Sequence, residues 1–388
     1  MSDERRINRR QLLGWAGAAG LGLGLAACSR GGEGETTGVT RAPAAGGKRA
    51  FEGQTLRMFI YSGAWEKTFR EAFVPAFQQQ TGATVILDPG WWDSIPKLKA
   101  SPPGQPAFDL VLTDATQGYP AIREGLFQQL DMAAIPNRAR ITPAVLDNHV
   151  YRDGYGIPFP ESVMTLAYNK SLVAAPPTGW GDLARPEHDG KLGLYNSFYM
   201  SLYTFACIKA DLDGKAGQAS ALIDTDLEGV FRFAAAQRDR VRYWWPTSTD
   251  MVLNLSQKNV ALGNMHSPDI LPALREQPAL GAVVPPTDRA FVLLMWVVPA
   301  GTKQKALAEA AIDYIFGEAF QTALAERGST TPLADVAAKV AAKDPFWKQI
   351  YPSTTEELAA VRYYPYDAYF KDWDAIVARW DREILRKS

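Results

Sequence analysis

The chain has 388 residues, of which 47% are hydrophobic and 21% are charged. This composition is ordinary for a soluble globular protein, and the length suits two or three domains. A formal net charge of −1 gives no electrostatic footprint for nucleic acid or anionic lipid, so both are excluded as partners.

The N-terminal 28 residues indicate where the protein works. Arg9-Arg10 followed by Gln-Leu-Leu resembles a twin-arginine export signal, and the uncharged residues 12–27 lead into Cys28 within Leu-Ala-Ala-Cys, which resembles a lipoprotein processing box. A transmembrane helix needs about 20 apolar residues, so this shorter run favours a signal peptide over the alternative, an uncleaved anchor. We therefore predict a signal peptide over residues 1–28 and a flexible tether over 29–50. The mature protein would lie in the periplasm or at the cell surface, anchored through lipidated Cys28.

Beyond the tether, strand and helix patterns alternate along the chain. This rhythm favours parallel pairing in an open α/β sheet, where ligands bind beyond the carboxyl ends of the strands. That rule points to the loops at 61–65, 90–93 and 114–116. The predicted strands are 56–61, 84–87, 109–113, 163–169, 190–195 and 291–298, and the predicted helices are 65–80, 119–125, 306–316, 320–327 and an aromatic tail after 345.

Cys207 is expected to have a structural role. With Cys28 assigned to lipidation, the thiol of Cys207 has no partner for an internal disulfide. It lies in an apolar run, so we expect it to be a small buried side chain.

Six short segments occur in a characteristic order. The longest, Gly-Trp-Gly-Asp-Leu-Ala-Arg-Pro-Glu-His-Asp-Gly-Lys, matches a Ser-Trp-x-Asp-Leu-x-x-Pro-x-x-x-Gly-Lys loop. Together they resemble the extracellular solute-binding proteins of bacterial ABC importers, in the spermidine/putrescine-binding branch, from about residue 56 to 333. The segments are Gln80–Val85, Ala107–Val111, Glu124–Asp131, Tyr155–Phe159, Gly179–Lys191 and Gly328–Pro332.

The resemblance implies a two-lobed periplasmic-binding-protein type II fold. Each lobe would be an open mixed sheet flanked by helices, with the ligand cleft between the lobes. Lobe one would take residues 51–158 plus 292–337, and lobe two 159–290 plus 338–388. A monomer without cofactor or enzymatic activity would close on a small solute and dock on a membrane permease.

Candidate ligand-binding residues follow from the resemblance and from the aromatic character of the predicted cleft. Three of them have simpler alternatives: Trp65 as helix packing, Asp114 as a helix cap and Glu161 as a solvated loop carboxylate. The candidates are Tyr61, Ser62, Trp65, Trp91, Asp114, Glu161, Tyr195, Ser197, Trp245 and His266.

The sequence departs from the polyamine-binding pattern where relatives carry acidic anchors. Ser197, Met200 and Leu294 stand at those positions. Because buried ammonium groups need paired carboxylates, we expect an amine, polyamine-like or zwitterionic solute held by aromatic rings and one or two carboxylates. The identity of the solute stays open.

Three rival interpretations are compatible with parts of the sequence. Ser94 and Lys97 match the Ser-x-x-Lys motif of penicillin-recognising enzymes, but the accompanying motifs are missing. Tyr363-Tyr364 resembles the tyrosine pair of iron-binding relatives, yet it lies in the tail, and His149, His188 and His266 do not have metal-ligand spacing. A lipid-anchored sensor of the same fold is the third alternative.

Overall fold

The computed structural model describes residues 49–386. The predicted export signal, Cys28 and nearly all of the tether lie outside these residues. Within them, no helix combines the length and the apolar character that crossing a membrane requires.

One mixed sheet organises the fold, in the order β2-β1-β3-β10-β5-β8-β6-β7, with β4, β9 and β11 added at β10 and β5. The predicted α/β fold with a mixed sheet and flanking helices is confirmed. The strands are β1 (Thr55–Tyr61), β2 (Thr84–Gly90), β3 (Leu110–Asp114), β4 (Phe127–Gln128), β5 (Gly156–Asn169), β6 (Leu192–Tyr195), β7 (Val241–Trp245), β8 (Leu262–His266), β9 (Leu280–Val283), β10 (Ala290–Pro299) and β11 (Arg362–Tyr363).

Eighteen α-helical segments within residues 49–386 cover this sheet. They are α1 (Ala64–Thr68), α2 (Val74–Thr81), α3 (Ser94–Lys99), α4 (Ala115–Arg123), α5 (Pro143–Leu146), α6 (His149–Arg152), α7 (Phe198–Leu212), α8 (Ala219–Thr225), α9 (Leu227–Gln237), α10 (Ser248–Ser256), α11 (Ser267–Glu276), α12 (Lys305–Ile315), α13 (Glu318–Glu326), α14 (Ala334–Ala341), α15 (Pro345–Ile350), α16 (Thr355–Ala359), α17 (Tyr366–Tyr369) and α18 (Trp373–Arg379).

The helix predicted at 65–80 is present, with one difference. A π-helical turn, Phe69–Phe73, joins α1 to α2 without a break in helical backbone. The helix ends at Gly82, whose φ of 79° is the left-handed conformation that closes many helices. A Cβ at Gly82 would also lie 3.0 Å from the Arg49 side chain, so this position favours glycine on two grounds.

Parallel pairing, which the alternating pattern predicted, holds at both ends of the sheet. β1 pairs in parallel with β2 and β3, and β6 pairs in parallel with β7 and β8. The prediction of parallel pairing is wrong for the long strands β5 and β10, which are antiparallel to each other. β5 is also antiparallel to β8, and β10 is also antiparallel to β3. Residues 284–289 connect β9 to β10 without an α-helix, so β10 does not follow a helical crossover of the kind that joins parallel strands.

The strand β5 belongs to both halves of the sheet. Residues 156–163 pair with β10, whereas residues 164–169 pair with β8 and β9. We call β2-β1-β3-β10 the first half and β8-β6-β7 with β9 the second half. Glu161 lies on β5 close to the point where the strand passes between them. The lobe boundaries predicted from the sequence stay a prediction.

The hydrophobic core follows the sheet. Every residue of β10 is buried, as its uninterrupted apolar run predicts for a strand covered on both faces. Cys207 on α7 is also fully buried, and burial raises the pKa of its thiol well above the ordinary range, which agrees with a structural role.

Candidate functional site

A cavity of about 320 Å³ lies beyond the carboxyl ends of β1 and β2, where the sheet rule places a ligand. Its walls come from both halves of the sheet: β1 and the loop after β2 on one side, and α11, which connects β8 to β9, on the other. Five of the predicted binding residues line it, namely Tyr61, Ser62, Trp65, Trp91 and Glu161.

Sequence reasoning missed most of the second wall. Pro268, Leu271, Pro272 and Arg275 form one stripe of α11 with helical three-and-four spacing, and Asp269 borders it. Ser-Pro-Asp is also an ordinary helix start, so the local pattern gave no sign of a ligand. Arg327, Gly328 and Ser329 complete the wall from the end of α13.

Aromatic rings form the first wall. The rings of Tyr61 and Trp91 stack with centroids 5.4 Å apart and an interplanar angle of 26°. Trp65 lies edge-on against Phe159 at 5.3 Å, so it both packs on the core and faces the cavity. The side chain of Trp91 is 55% exposed. An exposed ring beside a stacked partner is available for a flat or cationic solute.

Asp114, at the end of β3, has two functions in this structure. Its Oδ1 accepts hydrogen bonds from the backbone N–H groups of Thr116 at 2.7 Å and Gln117 at 3.3 Å, which caps α4. Its Oδ2 accepts from the Tyr61 hydroxyl at 3.0 Å and from Nε1 of Trp92 at 3.2 Å. Asp114 therefore has the capping role that the sequence offered as the simpler alternative. Its second carboxylate oxygen contacts the aromatic wall of the cavity.

Glu161 is the central carboxylate of the cavity wall. Burial raises its pKa to about 7, and the negative charges of Asp269 and Asp114 act in the same direction. Within residues 49–386, no Lys, Arg or His side chain forms an ion pair with any of these three carboxylates. Glu161 and Asp269 line the cavity and Asp114 lies behind its aromatic wall, so a positively charged group bound near them would interact favourably with these carboxylates.

The pKa of the Tyr61 hydroxyl is also affected by burial and by a neighbouring carboxylate. Burial raises its pKa well above the ordinary value, and the neighbouring carboxylate of Asp114 adds to the rise. Tyr61 therefore stays neutral and can donate its hydrogen bond to Asp114 across the physiological pH range.

A second aromatic cluster lies on the other half of the sheet. Tyr195 stacks on Trp245 with centroids 4.2 Å apart, and His266 lies edge-on to both rings at 5.1 and 5.7 Å. Trp245 is completely buried, so its ring supports Tyr195 and offers no surface to a solute. Burial lowers the pKa of His266, while the charge of Asp269 opposes the shift. Asp269, which lines the cavity, therefore also lies near this cluster.

The positions of the missing polyamine anchors are occupied by packing residues. Ser197 precedes α7 and is partly exposed. Met200 and Leu294 are buried, and Leu294 pairs with Asp114 in the sheet register. None of these three lines the cavity described above, and the same holds for Asp114, Tyr195, Trp245 and His266.

The geometry around Ser94 does not support a serine hydrolase. Ser94 is 1% exposed, and the Lys97 ammonium lies 2.9 Å from Asp88 and 2.8 Å from Asp93. Hydrogen bonds to these carboxylates raise the pKa of Lys97, whereas a catalytic base requires a lowered one.

The tyrosine pair of the tail has structural partners. The Tyr363 hydroxyl donates to the carbonyl of Val145 at 3.0 Å, and the Tyr364 ring packs on Tyr199 and Tyr203. Across residues 49–386, no three His, Cys, Asp or Glu side chains are grouped so that they could hold a metal ion.

Comparison with known proteins adds a sequence relative and solved structures. Over 146 residues, the chain is 28% identical to the norspermidine sensor of Vibrio cholerae serotype O1, a match that covers 37% of this chain and only 39% of the sensor. An ABC transporter from Clostridium perfringens (TM-score 0.70, 19% identity) and a spermidine/putrescine ABC transporter substrate-binding protein from Streptococcus pneumoniae (TM-score 0.67, 17% identity) each align with 85% of this chain and 99% of their own. At these identities, the structural likeness establishes the fold.

The family assignment comes from the sequence itself. The family described as bacterial extracellular solute-binding protein matches residues 72–350, well over half of the 388 residues. That span includes the strands and helices that build most of the cavity. The chain therefore belongs to the bacterial extracellular solute-binding protein family.

Proposed function

We propose that this protein is the substrate-binding component of an ABC-type importer, which captures a small organic amine by lobe closure and delivers it to a membrane permease. The observation that carries the proposal is the cavity whose carboxylates lack a cationic partner while aromatic rings stand beside them. An ammonium group would offset the charge of Glu161 and Asp269, and its alkyl chain would pack on Tyr61, Trp65 and Trp91.

Physical chemistry favours a cation at this position. Desolvation disfavours the ionised form of Glu161, whose pKa is therefore raised to about 7, and a bound ammonium would stabilise that form by Coulomb attraction and hydrogen bonding. The rings add cation–π attraction of about 0.5–2 kcal/mol. We expect Glu161, Asp114 and Asp269 to set the affinity, with Tyr195 and His266 closing the site from the second half.

A thermal-shift screen followed by calorimetry tests this proposal. Alkylamines, diamines, amino acids and betaines, with uncharged sugars for comparison, are added to the purified protein, because a ligand that binds only the native state raises the melting temperature by mass action. A solute with an amino group should raise the melting temperature, and Glu161→Gln should remove most of that effect. If amines leave the melting temperature unchanged while uncharged sugars raise it, the proposal is wrong.

A sensor without transport is the second candidate, favoured by the partial likeness to the norspermidine sensor. Uptake of a radiolabelled amine identified in the screen separates the two functions. A strain without this protein loses uptake if it serves an importer, and keeps uptake if it acts only as a sensor.

We also propose that twin-arginine export and lipidation of Cys28 hold the protein at the outer face of the cytoplasmic membrane. Family membership supports an extracellular location. Cys28→Ser should move the protein from the membrane fraction to the soluble fraction, whereas Cys207→Ser, the matched control, should not. Retention of the Cys28→Ser variant in the membrane would contradict lipid anchoring.

A further inference from the structure

The cavity carries charges of both signs, on different parts of its wall. Glu161 and Asp269 lie at one end of the α11 wall, and Arg275 and Arg327 also line the cavity. Asp269 stands in the first turn of α11 and Arg275 in the last. Six residues of α-helix rise about 9 Å, so the backbones of Asp269 and Arg275 lie about this far apart along α11. Among residues 49–386, neither Glu161 nor Asp269 forms an ion pair with Arg275 or Arg327, whose partners are Asp344 and Glu71.

Both arginines are anchored from outside the cavity. Arg275 is paired through Nη2 with Asp344, the residue that caps α15, and Nε of Arg327 lies 3.7 Å from Glu71. A guanidinium has five N–H donors, and these contacts leave several of them to a ligand. The Arg275 and Arg327 side chains are 37% and 40% exposed, so they are accessible as well as held in position.

The wall between the charged ends is apolar. Pro268, Leu271 and Pro272 face the cavity along α11, opposite the rings of Tyr61 and Trp65. A second ammonium placed near Arg275 and Arg327 would find no hydrogen-bond acceptor on these guanidinium groups, whereas a carboxylate there would accept charge-assisted hydrogen bonds from them. The wall therefore favours an amine that carries a carboxylate at its other end over a diamine with the same cationic end.

We infer that the solute is a zwitterion, a short aliphatic chain with an ammonium at one end, bound by Glu161 and Asp269, and a carboxylate at the other, bound by Arg275 and Arg327. This inference rests on the proposed function, and it excludes linear diamines and polyamines as preferred solutes. The cavity of about 320 Å³ has room for a chain of this size.

Calorimetry with three matched series of probes tests the inference. The series are ω-amino acids with three to six carbons, α,ω-diamines of the same lengths and the corresponding n-alkylamines. We expect an ω-amino acid to bind at least 10-fold more tightly than the diamine and the alkylamine of equal length, since one charge-assisted interaction changes affinity by about this factor.

Charge-removing variants assign the carboxylate end. Arg275→Gln and Arg327→Gln should each weaken binding of the ω-amino acid about 10-fold and leave the alkylamine unchanged. Arg140→Gln is the matched control, because Arg140 pairs with Glu318 and Asp335 away from the cavity lining, and its loss should leave the affinity for the ω-amino acid unchanged.

The outcomes separate this inference from the proposed function. If diamines bind most tightly, or if both arginine variants retain full affinity for the ω-amino acid, the zwitterion inference is wrong and the amine receptor stands. If none of the three series binds to the wild-type protein, both are wrong.

Discussion

Asp114 combines two tasks that one substitution can separate. One carboxylate oxygen caps α4, and the other accepts hydrogen bonds from Tyr61 and Trp92 beside the cavity. Asparagine is as good a cap as aspartate but carries no charge, whereas alanine lacks both functions. The two variants therefore report on the cap and on the charge independently.

We expect Asp114→Ala to lower the free energy of unfolding by about 1–2 kcal/mol through loss of the cap, with weaker solute binding. Asp114→Asn should keep most of that stability and still weaken binding of the amine. Urea unfolding and calorimetry on both variants measure the two effects. Unchanged affinity in Asp114→Asn would remove Asp114 from the site and leave it a capping residue only.

Glu161 predicts how binding depends on pH. Because its pKa is raised to about 7 in the empty site, a solute ammonium that prefers the ionised carboxylate must release the proton held at low pH. Between pH 6 and 8 the ionised fraction rises about 10-fold, so affinity for the amine should rise by a similar factor. Calorimetry across this range, repeated in two buffers of different ionisation enthalpy, measures both the affinity and the proton release.

The variant Glu161→Gln should flatten this pH profile, and His266→Gln should retain it, because the lowered pKa of His266 keeps that ring neutral near pH 7. Rising pH has the opposite effect on the stability of the fold from its effect on the affinity for the amine. An acid whose pKa rises from its ordinary 4.5 on folding binds fewer protons in the unfolded chain, so this group lowers stability as pH rises toward 7. Equal affinity at pH 6 and 8 in the wild type would contradict the role assigned to Glu161.

At the scale of elements, the C-terminal strap, residues 362–371, holds the two halves of the sheet together. β11 pairs with β10, and the Tyr363 hydroxyl reaches Val145. At the other end, the Tyr369 hydroxyl donates to the carbonyl of Tyr199 at 2.8 Å, and Lys371 pairs with Asp224 at 2.5 Å. The strap is thus bonded both to β10 of the first half and to the helices that flank the second.

Tyr369 tests how much the strap contributes to stability. Its ring is fully buried against Phe198, so Tyr369→Ala should lower the free energy of unfolding by about 3–5 kcal/mol. Tyr369→Phe keeps the ring and loses one hydrogen bond, and should cost about 1–2 kcal/mol. Urea titrations give both values. Wild-type stability in Tyr369→Ala would show that the strap does not secure the fold.

On the scale of the whole molecule, the cavity lies where β5 passes from one half of the sheet to the other. Residues 284–289, between β9 and β10, form the second connection between the halves. Two connections of this kind suit hinge closure, in which a few residues absorb the change in backbone angles. Groups from both halves would then meet the solute at once.

Small-angle X-ray scattering tests the predicted closure. A saturating amine should reduce the radius of gyration of the wild-type protein, because closure brings the two walls of the cavity together. Glu161→Gln, at the same solute concentration, serves as the unliganded control and should scatter like the empty wild type. Identical curves with and without solute, at concentrations where calorimetry shows full binding, would contradict closure.

The sequence by itself determined the fold class, six of the eleven strands found within residues 49–386, and one side of the site. Apolar periodicity and turn residues are local signals, and the rule that ligands lie beyond the carboxyl ends of parallel strands led to Tyr61, Ser62, Trp65 and Trp91, all of which line the cavity. The ordered motifs led to the solute-binding family, to which the chain belongs.

Only the tertiary structure decided which distant groups meet. Asp269, Arg275 and Arg327 come from helix ends with ordinary local sequences, and they face the cavity because of how α11 and α13 pack, which no local period encodes. Packing also buried Trp245 beneath Tyr195 and gave Asp114 both of its roles. Charge placement in a cleft is a non-local property, since it depends on the register of β5 and β10. The arrangement of charges on which the proposed zwitterionic solute rests is therefore visible only in the folded chain.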